Sequence, residues 1–197
     1  MGTMKIENVI RKMYYALQRI YEKFRGVDFV SGIASKQKNH VEYAASTPLL
    51  YSILNKYFNE MKIGENDGIM DVGCGKGRML CFFASWPFGK VGGIEYEKDI
   101  LTICRQNLWK LKVYRVLTYQ GDASKFEGYD DYNYFYIFNP FHKEIMQGFI
   151  DQLKCSKEKT PRTIRVLYLN PLDGDMFVES GFELERTLQH GVAVLKL

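Results

Sequence analysis

The chain is poor in cysteine, and its four cysteines are unpaired in sequence. Cys74, Cys81, Cys104 and Cys155 include no CxxC pair and follow no apolar leader. That excludes a disulfide framework or a zinc site built on such pairs, and it predicts reduced thiols in a cytoplasmic protein. No apolar run approaches the ~18 residues of a membrane span, so no membrane association is expected. The opening Met1-Gly2-Thr3 lacks the hydroxyl residue of an N-myristoylation signal, because Ile6 stands in its place. Internal repeats and low-complexity tracts are also missing.

What is present describes a packed globule of 197 residues, long enough for one domain with a small appendage. Tyrosine outnumbers tryptophan by 14 to 2; most of these rings are expected in the core, some with their hydroxyls at a wet edge. The formal charge of +4 is unevenly spread. Residues 1–40 hold eight Lys/Arg against three Asp/Glu, while the remainder is nearly balanced. The excess positive charge therefore belongs to the N-terminal segment. Such a segment attracts nucleic acid or an acidic protein, or is the solvated face of a helix.

Periodicity gives the element order. Ile6, Ile10, Met13, Leu17, Ile20 and Phe24 form one apolar seam of a helix over 4–25, expected to pack on the domain. A linker over 26–46 follows. Thr47 and Pro48 suit the cap and first position of a second helix, which Gly64 ends. From there strands and helices alternate. Strands are expected at 69–72, 91–95, 113–119, 132–138, 163–169, 182–187 and 192–197, and helices at 76–85, 99–108, 142–153 and 173–180. Five βα units followed by a C-terminal hairpin predict an α/β protein with a seven-stranded, doubly wound, mostly parallel sheet and an N-terminal helical extension. We place the extension at residues 1–41 and the main domain at 42–197.

The densest chemical signal is Asp71-Val72-Gly73-Cys74-Gly75-Lys76-Gly77-Arg78, at a strand-to-helix turn. Glycines there admit positive φ and let the backbone approach a ligand closely. A dinucleotide fingerprint requires glycine at position 78, and this chain has Arg78. Glu95 ends the next strand and offers two acceptor oxygens, enough for a vicinal diol; it can equally cap the helix that follows. Asp122, in Gln120-Gly121-Asp122-Ala123, is either an acceptor for an amine or a turn cap. Asn139-Pro140-Phe141 ends the fourth strand. His142 beside it is a general base or the first residue of a helix.

The run Asp71-x-Gly73-x-Gly75-x-Gly77 resembles the first motif of class I methyltransferases, which use S-adenosylmethionine (SAM), and the resemblance extends over residues 42–197. It implies that Gly73, Cys74, Gly75 and Gly77 lie against the methionine part of SAM and that Asp71 fixes its amino group. It assigns Glu95 to the ribose and Asp122 to the adenine amine, with Tyr96 or Ala123 on the adenine faces. The segment 42–48 looks like an N-terminal lid in which Tyr43 and Thr47 reach the SAM carboxylate. Asn139-Pro140-Phe141 resembles the N-P-P-Y/F motif of enzymes that methylate amide or amino nitrogen, without its second proline, and is the expected catalytic edge, with Asn139 also against the cofactor.

The implied activity is methyl transfer from SAM, leaving S-adenosylhomocysteine, to a nitrogen or oxygen of a protein or small molecule. RNA ranks behind these acceptors. The alternative is a non-catalytic SAM-binding regulatory subunit that acts through a partner. The Asp-Asp-Asn type of cluster used by magnesium-dependent relatives is missing, and Asp130-Asp131 precede the strand, so no metal is expected. The chain is expected as a monomer or weak dimer.

Overall fold

The computed structural model describes residues 16, 17, 19–29, 48–139 and 141–197. The expected lid residues Tyr43 and Thr47, most of the 4–25 helix, and Pro140 lie outside them. A seven-stranded sheet organises the rest, in the order β3-β2-β1-β4-β5-β7-β6. Its strands are β1 (Gly68–Val72), β2 (Lys90–Glu95), β3 (Val116–Gln120), β4 (Tyr134–Ile137), β5 (Arg165–Leu169), β6 (Glu183–Leu188) and β7 (Val192–Lys196). Only β7 is reversed: it pairs antiparallel with both β5 and β6, and the other pairings are parallel.

Strand alternation sends side chains to two cores. Ile69, Tyr134, Tyr136 and Leu167 face one core, and Met70, Val72, Phe135, Ile137 and Val166 the other. The first core is covered by α1 (Pro48–Met61), α2 (Arg78–Phe83) and α3 (Lys98–Lys110). Its centre is a ring cluster in which Phe58 meets Phe83, Trp86 and Phe88 edge-on at 5.2–6.2 Å. The second is covered by α4 (Lys143–Lys159) and α5 (Gly174–Glu179), through Met146, Phe149, Ile150, Leu153 and Phe177. The strand order switches between the parallel neighbours β1 and β4, the chain leaving β1 toward β2 on one side and β4 toward β5 on the other, so the sheet opens a crevice at their carboxyl ends.

Two expectations need correction. The link from β3 to β4 holds no α-helix, so the third βα unit is incomplete. It contains two short 3-10 turns, Ala123–Lys125 and Gly128–Asp131, because Asp122 and the glycines at 121 and 128 favour turns over a continuous helix. The N-terminal apolar seam also does not pack on the domain where it is described. Leu17, Ile20 and Phe24 are 63%, 66% and 87% exposed, whereas Glu22 and Val27 are buried. The docked side of this segment is held by ion pairs and backbone bonds described below, which the apolar pattern did not encode.

Several expected boundaries move by one to three residues, and α4 runs to Lys159, well beyond Leu153. At its end Arg162 donates to the carbonyls of Tyr129, Tyr132, Ser156 and Thr160 and to the Ser156 hydroxyl, at 2.7–3.1 Å. Asp131 pairs with Lys90 at the amino edge of the sheet, opposite the crevice. Among the described residues no helix is long and apolar enough to cross a membrane, and no group of three or more His, Cys, Asp or Glu is placed to hold a metal.

Candidate functional site

The turn after β1 is built from left-handed glycines. Gly73, Gly75 and Gly77 have φ of 80°, 53° and 84°, values that cost an L side chain free energy and cost glycine none. A Cβ on Gly77 would lie 2.6 Å from the Sγ of Cys104, so the turn can sit against α3 only with glycine there. Among the described residues, a Cβ on Gly75 would meet nothing within 4 Å; this is the open side of the turn, where a ligand can approach the backbone.

Four amides of the turn, those of Gly73, Cys74, Gly75 and Gly77, are taken up within the protein. Gly73 N and Cys74 N both donate to the Ile94 carbonyl, at 2.9 and 3.0 Å. Gly75 N donates to Oε2 of Glu95 at 3.0 Å, and Glu97 N to Oε1 at 2.9 Å. Glu95 therefore braces the glycine turn from the end of β2 and is itself oriented by two amides. Gly121 N closes the same edge by donating to the Glu95 carbonyl at 3.0 Å.

Asp71 is 4% exposed, and no ion pair meets it among the described residues. Burial, and then the charge of Glu95, push its carboxyl up to about 8. Beside it in register on β4 stands Tyr136. Its hydroxyl is buried without a hydrogen-bond partner, and burial, then Asp71 and Tyr51, push it well up. The site thus combines a buried acid, a second acid braced on the glycine turn and, among the described residues, a hydroxyl without a hydrogen-bond partner. An ammonium and a ribose diol are donors that these two carboxyl groups can accept, and the glycine turn leaves room for the chain between them, so the residues fit SAM. Cys74 is buried, and the neighbouring Cys104 thiol and then burial push its own thiol well above the ordinary range, leaving a neutral wall residue.

The remaining predicted residues divide. Asp122 accepts from the amide and hydroxyl of Ser124 at 2.9 and 2.7 Å, and these bonds, the hydroxyl's first, hold its carboxyl below the usual range; it caps the 3-10 turn that follows. Ala123 is buried in the second core. Tyr96 is 66% exposed at the carboxyl end of β2.

Asn139 adopts φ of 39°, a left-handed conformation that asparagine tolerates better than most residues. Its Oδ1 accepts from the Tyr168 hydroxyl at 2.7 Å, and its Nδ2 donates to the Asn170 carbonyl at 2.6 Å. Asn170 is left-handed too, with φ of 51°. Two adjacent strand ends, β4 and β5, thus carry strained asparagines tied to each other. Phe141 leans on the second core, 6.3 Å from Phe149. His142 is exposed and occupies the N-cap position of α4 without a side-chain bond, which favours its helix-start reading.

Sequence reasoning missed Tyr136, Asn170 and a group of N-terminal contacts. Tyr136 read as core because strand periodicity gives a face and not a partner. An asparagine directly after an apolar strand, as Asn139 follows its own, was the available signal for Asn170.

Comparison with known proteins agrees with this geometry. A family model described as "Methyltransferase domain" matches residues 69–154, which span the glycine turn, Glu95, Asp122 and Asn139. No curated protein sequence matches the chain. Among solved structures the chain is similar to a SAM-dependent methyltransferase from Aquifex aeolicus, with a TM-score of 0.58 and 16% identity over 76% of this chain and 92% of that one. It is also similar to an RNA methyltransferase from Salinibacter ruber in complex with S-adenosyl-L-homocysteine, with a TM-score of 0.52 and 18% identity over 77% and 91% of the two chains. The PH0226 protein from Pyrococcus horikoshii OT3 matches with a TM-score of 0.58 and 13% identity over 80% and 91%.

Proposed function

We propose that this class I SAM-dependent methyltransferase delivers its methyl group to a nitrogen or oxygen atom of a protein or small molecule at the edge formed by Asn139, Pro140 and Phe141. The chain is a methyltransferase and SAM is its cofactor; the acceptor and the residue roles are our reading. We take residues 42–197 as the cofactor-binding domain and residues 1–41 as an extension that touches it. When bound, SAM supplies a methyl group on a sulfonium, already activated for displacement by a lone pair.

The residues of the chain then have to bind, align and exclude water. In our reading Asp71 takes the ammonium through its buried carboxyl, directly or through water. Gly73, Cys74, Gly75 and Gly77 form the wall along the methionine chain, and Glu95 holds the ribose hydroxyls. Asp122 receives the adenine amine through the oxygen not committed to Ser124, with Tyr96 or Ala123 beside the ring. Tyr43 and Thr47 are assigned to the carboxylate end. The observation that carries this set is the pair Asp71 and Glu95: a buried carboxyl at the end of β1 and a second carboxylate at the end of β2 that braces the open glycine turn.

Asn139 is the residue we assign to the acceptor. Its amide is fixed by Tyr168 and Asn170, and its backbone is held in a strained conformation, as functional residues often are. Its Oδ1 also receives the Leu172 amide at 3.5 Å, a long bond that an acceptor N–H or O–H can displace while the Tyr168 bond is kept.

RNA remains a ranked alternative: the similar Salinibacter protein is an RNA methyltransferase, and the N-terminal segment is basic. The exposed Leu17, Ile20 and Phe24 favour a second reading, in which the chain binds SAM and acts through a partner. Transfer of radiolabelled methyl from SAM into separate pools of peptides, small amines and alcohols, and RNA tests the proposal. Label in the peptide or small-molecule pool, lost in Asn139→Ala with S-adenosylhomocysteine affinity kept, is the expected result. Label in RNA alone contradicts the acceptor class, and no label despite tight cofactor binding favours the partner reading.

A further inference from the structure

The glycine turn does not stand alone. A stretch of the N-terminal extension, residues 22–29, lies across its far end. Glu22, 5% exposed, pairs with Arg78 at 2.9 Å. Asp28 pairs with Lys76 at 2.8 Å. The Arg78 guanidinium also lies 5.2 Å from the centre of the Phe29 ring, and Lys110 of α3 donates to the Gly26 carbonyl. Lys76 and Arg78 are both inside the Gly-rich sequence, so the charges that would otherwise flank the cofactor turn are answered by the extension.

At the centre of this contact is Asn107, on α3 and 1% exposed. Its Oδ1 accepts from Asp28 N at 2.9 Å. Its Nδ2 donates to the Asp28 carbonyl at 2.8 Å and to the Lys76 carbonyl at 3.0 Å. One buried amide thus holds the backbone of the extension on two sides and the backbone of the cofactor turn on a third. Donor and acceptor ends are both required, so no other side chain of this size reproduces the set. A buried amide with every bond made specifies one arrangement, and losing a bond leaves a buried group unpaired.

We propose that Asn107 is a positioning residue that makes residues 22–29 and the glycine turn a single cooperative unit, so that docking of the extension and binding of the cofactor favour each other. The inference rests on the cofactor reading above and goes beyond it by assigning the extension a role in affinity. Linkage requires reciprocity: if the docked extension tightens the cofactor, the cofactor must tighten the extension by the same factor. Val27 N, bonded to Glu22 O at 3.0 Å, and Asp28 N report on docking by hydrogen exchange.

The experiment is hydrogen exchange of these two amides with and without S-adenosylhomocysteine, beside calorimetric titration of the same ligand, in the full chain and in Asn107→Asp. Aspartate keeps the size and one acceptor but cannot donate to the two carbonyls. In the full chain the ligand is expected to slow both amides by about fivefold or more, the low end of ordinary coupling. In Asn107→Asp that response is expected to vanish and the affinity to fall by a similar factor. If Asn107→Asp does not fold, the double variant Glu22→Gln, Asp28→Asn removes both ion pairs while leaving the amide clasp, and a smaller loss in both measurements is expected. Ligand binding with no change at Val27 and Asp28, or unaltered affinity in the variants, overturns the inference alone. No ligand binding to the full chain overturns the cofactor reading and this inference with it.

Discussion

Asp71 carries the sharpest consequence at the scale of one residue. An unfolded chain releases this proton near pH ~4, while the folded chain keeps it up to about 8. Between those values the native state binds more protons than the unfolded one, so its stability falls as pH rises. The melting temperature of the ligand-free protein is therefore expected to fall across this window, and Asp71→Asn is expected to flatten the slope and raise stability at the upper end while weakening cofactor binding. Melting curves at several pH values check this; an unchanged slope in Asp71→Asn would show that the carboxyl is not held protonated. Gly77 is the second such position. Gly77→Ala places a side chain at φ of 84° and 2.6 Å from Cys104 Sγ, a cost of about 1–3 kcal/mol for the backbone alone. Denaturant titration reads that loss, and calorimetry the accompanying loss of S-adenosylhomocysteine affinity.

Among the elements, the glycine turn was legible in sequence because its conformation demands a residue type: only glycine suits three left-handed positions in five. The destination of its amides was not legible, since a motif specifies backbone freedom and not the carbonyl that each N–H will meet. The extension shows the same limit from the other side. Its apolar seam predicted a buried face, yet the side that docks is the one bearing Glu22 and Asp28, whose partners lie 56 and 48 residues away. Charge pairs and a buried asparagine leave no periodicity to read. Asn139 was chosen correctly as a strand-end residue, but its tie to Asn170 depends on β4 and β5 being neighbours, which is a property of the sheet. Arg162 belongs here too. Its five bonds join the end of α4 to the start of β4, so Arg162→Ala is expected to cost about 2–3 kcal/mol in chemical denaturation, because several buried carbonyls lose their donor together. A cost below about 0.5 kcal/mol, typical of surface sites, would place those carbonyls in water.

For the whole molecule, strand periodicity and the alternation of helices and strands were enough to anticipate a seven-stranded, mostly parallel sheet with a reversed hairpin at its end, because short buried strands between amphipathic helices have few other ways to pack. The order of strands then fixes where a ligand lies: the carboxyl ends of β1, β2 and β4 bring Asp71, Glu95 and Asn139 to one edge, although they are far apart in sequence. The acceptor is not encoded at this scale. Only the residues at the rim of β4 and β5 bear on it, because a fold does not by itself fix the group acted on.

The central claim is that two acids around an open glycine turn hold an adenosyl cofactor. Its most direct test is calorimetric titration of the full chain with S-adenosylhomocysteine, with NADH as the competing class and Glu95→Ala as the control. We predict micromolar binding of the adenosyl ligand, none of NADH, and a loss of about tenfold or more in Glu95→Ala, the scale of a charged hydrogen bond. Binding of NADH in preference, or adenosyl binding indifferent to Glu95, would contradict the account.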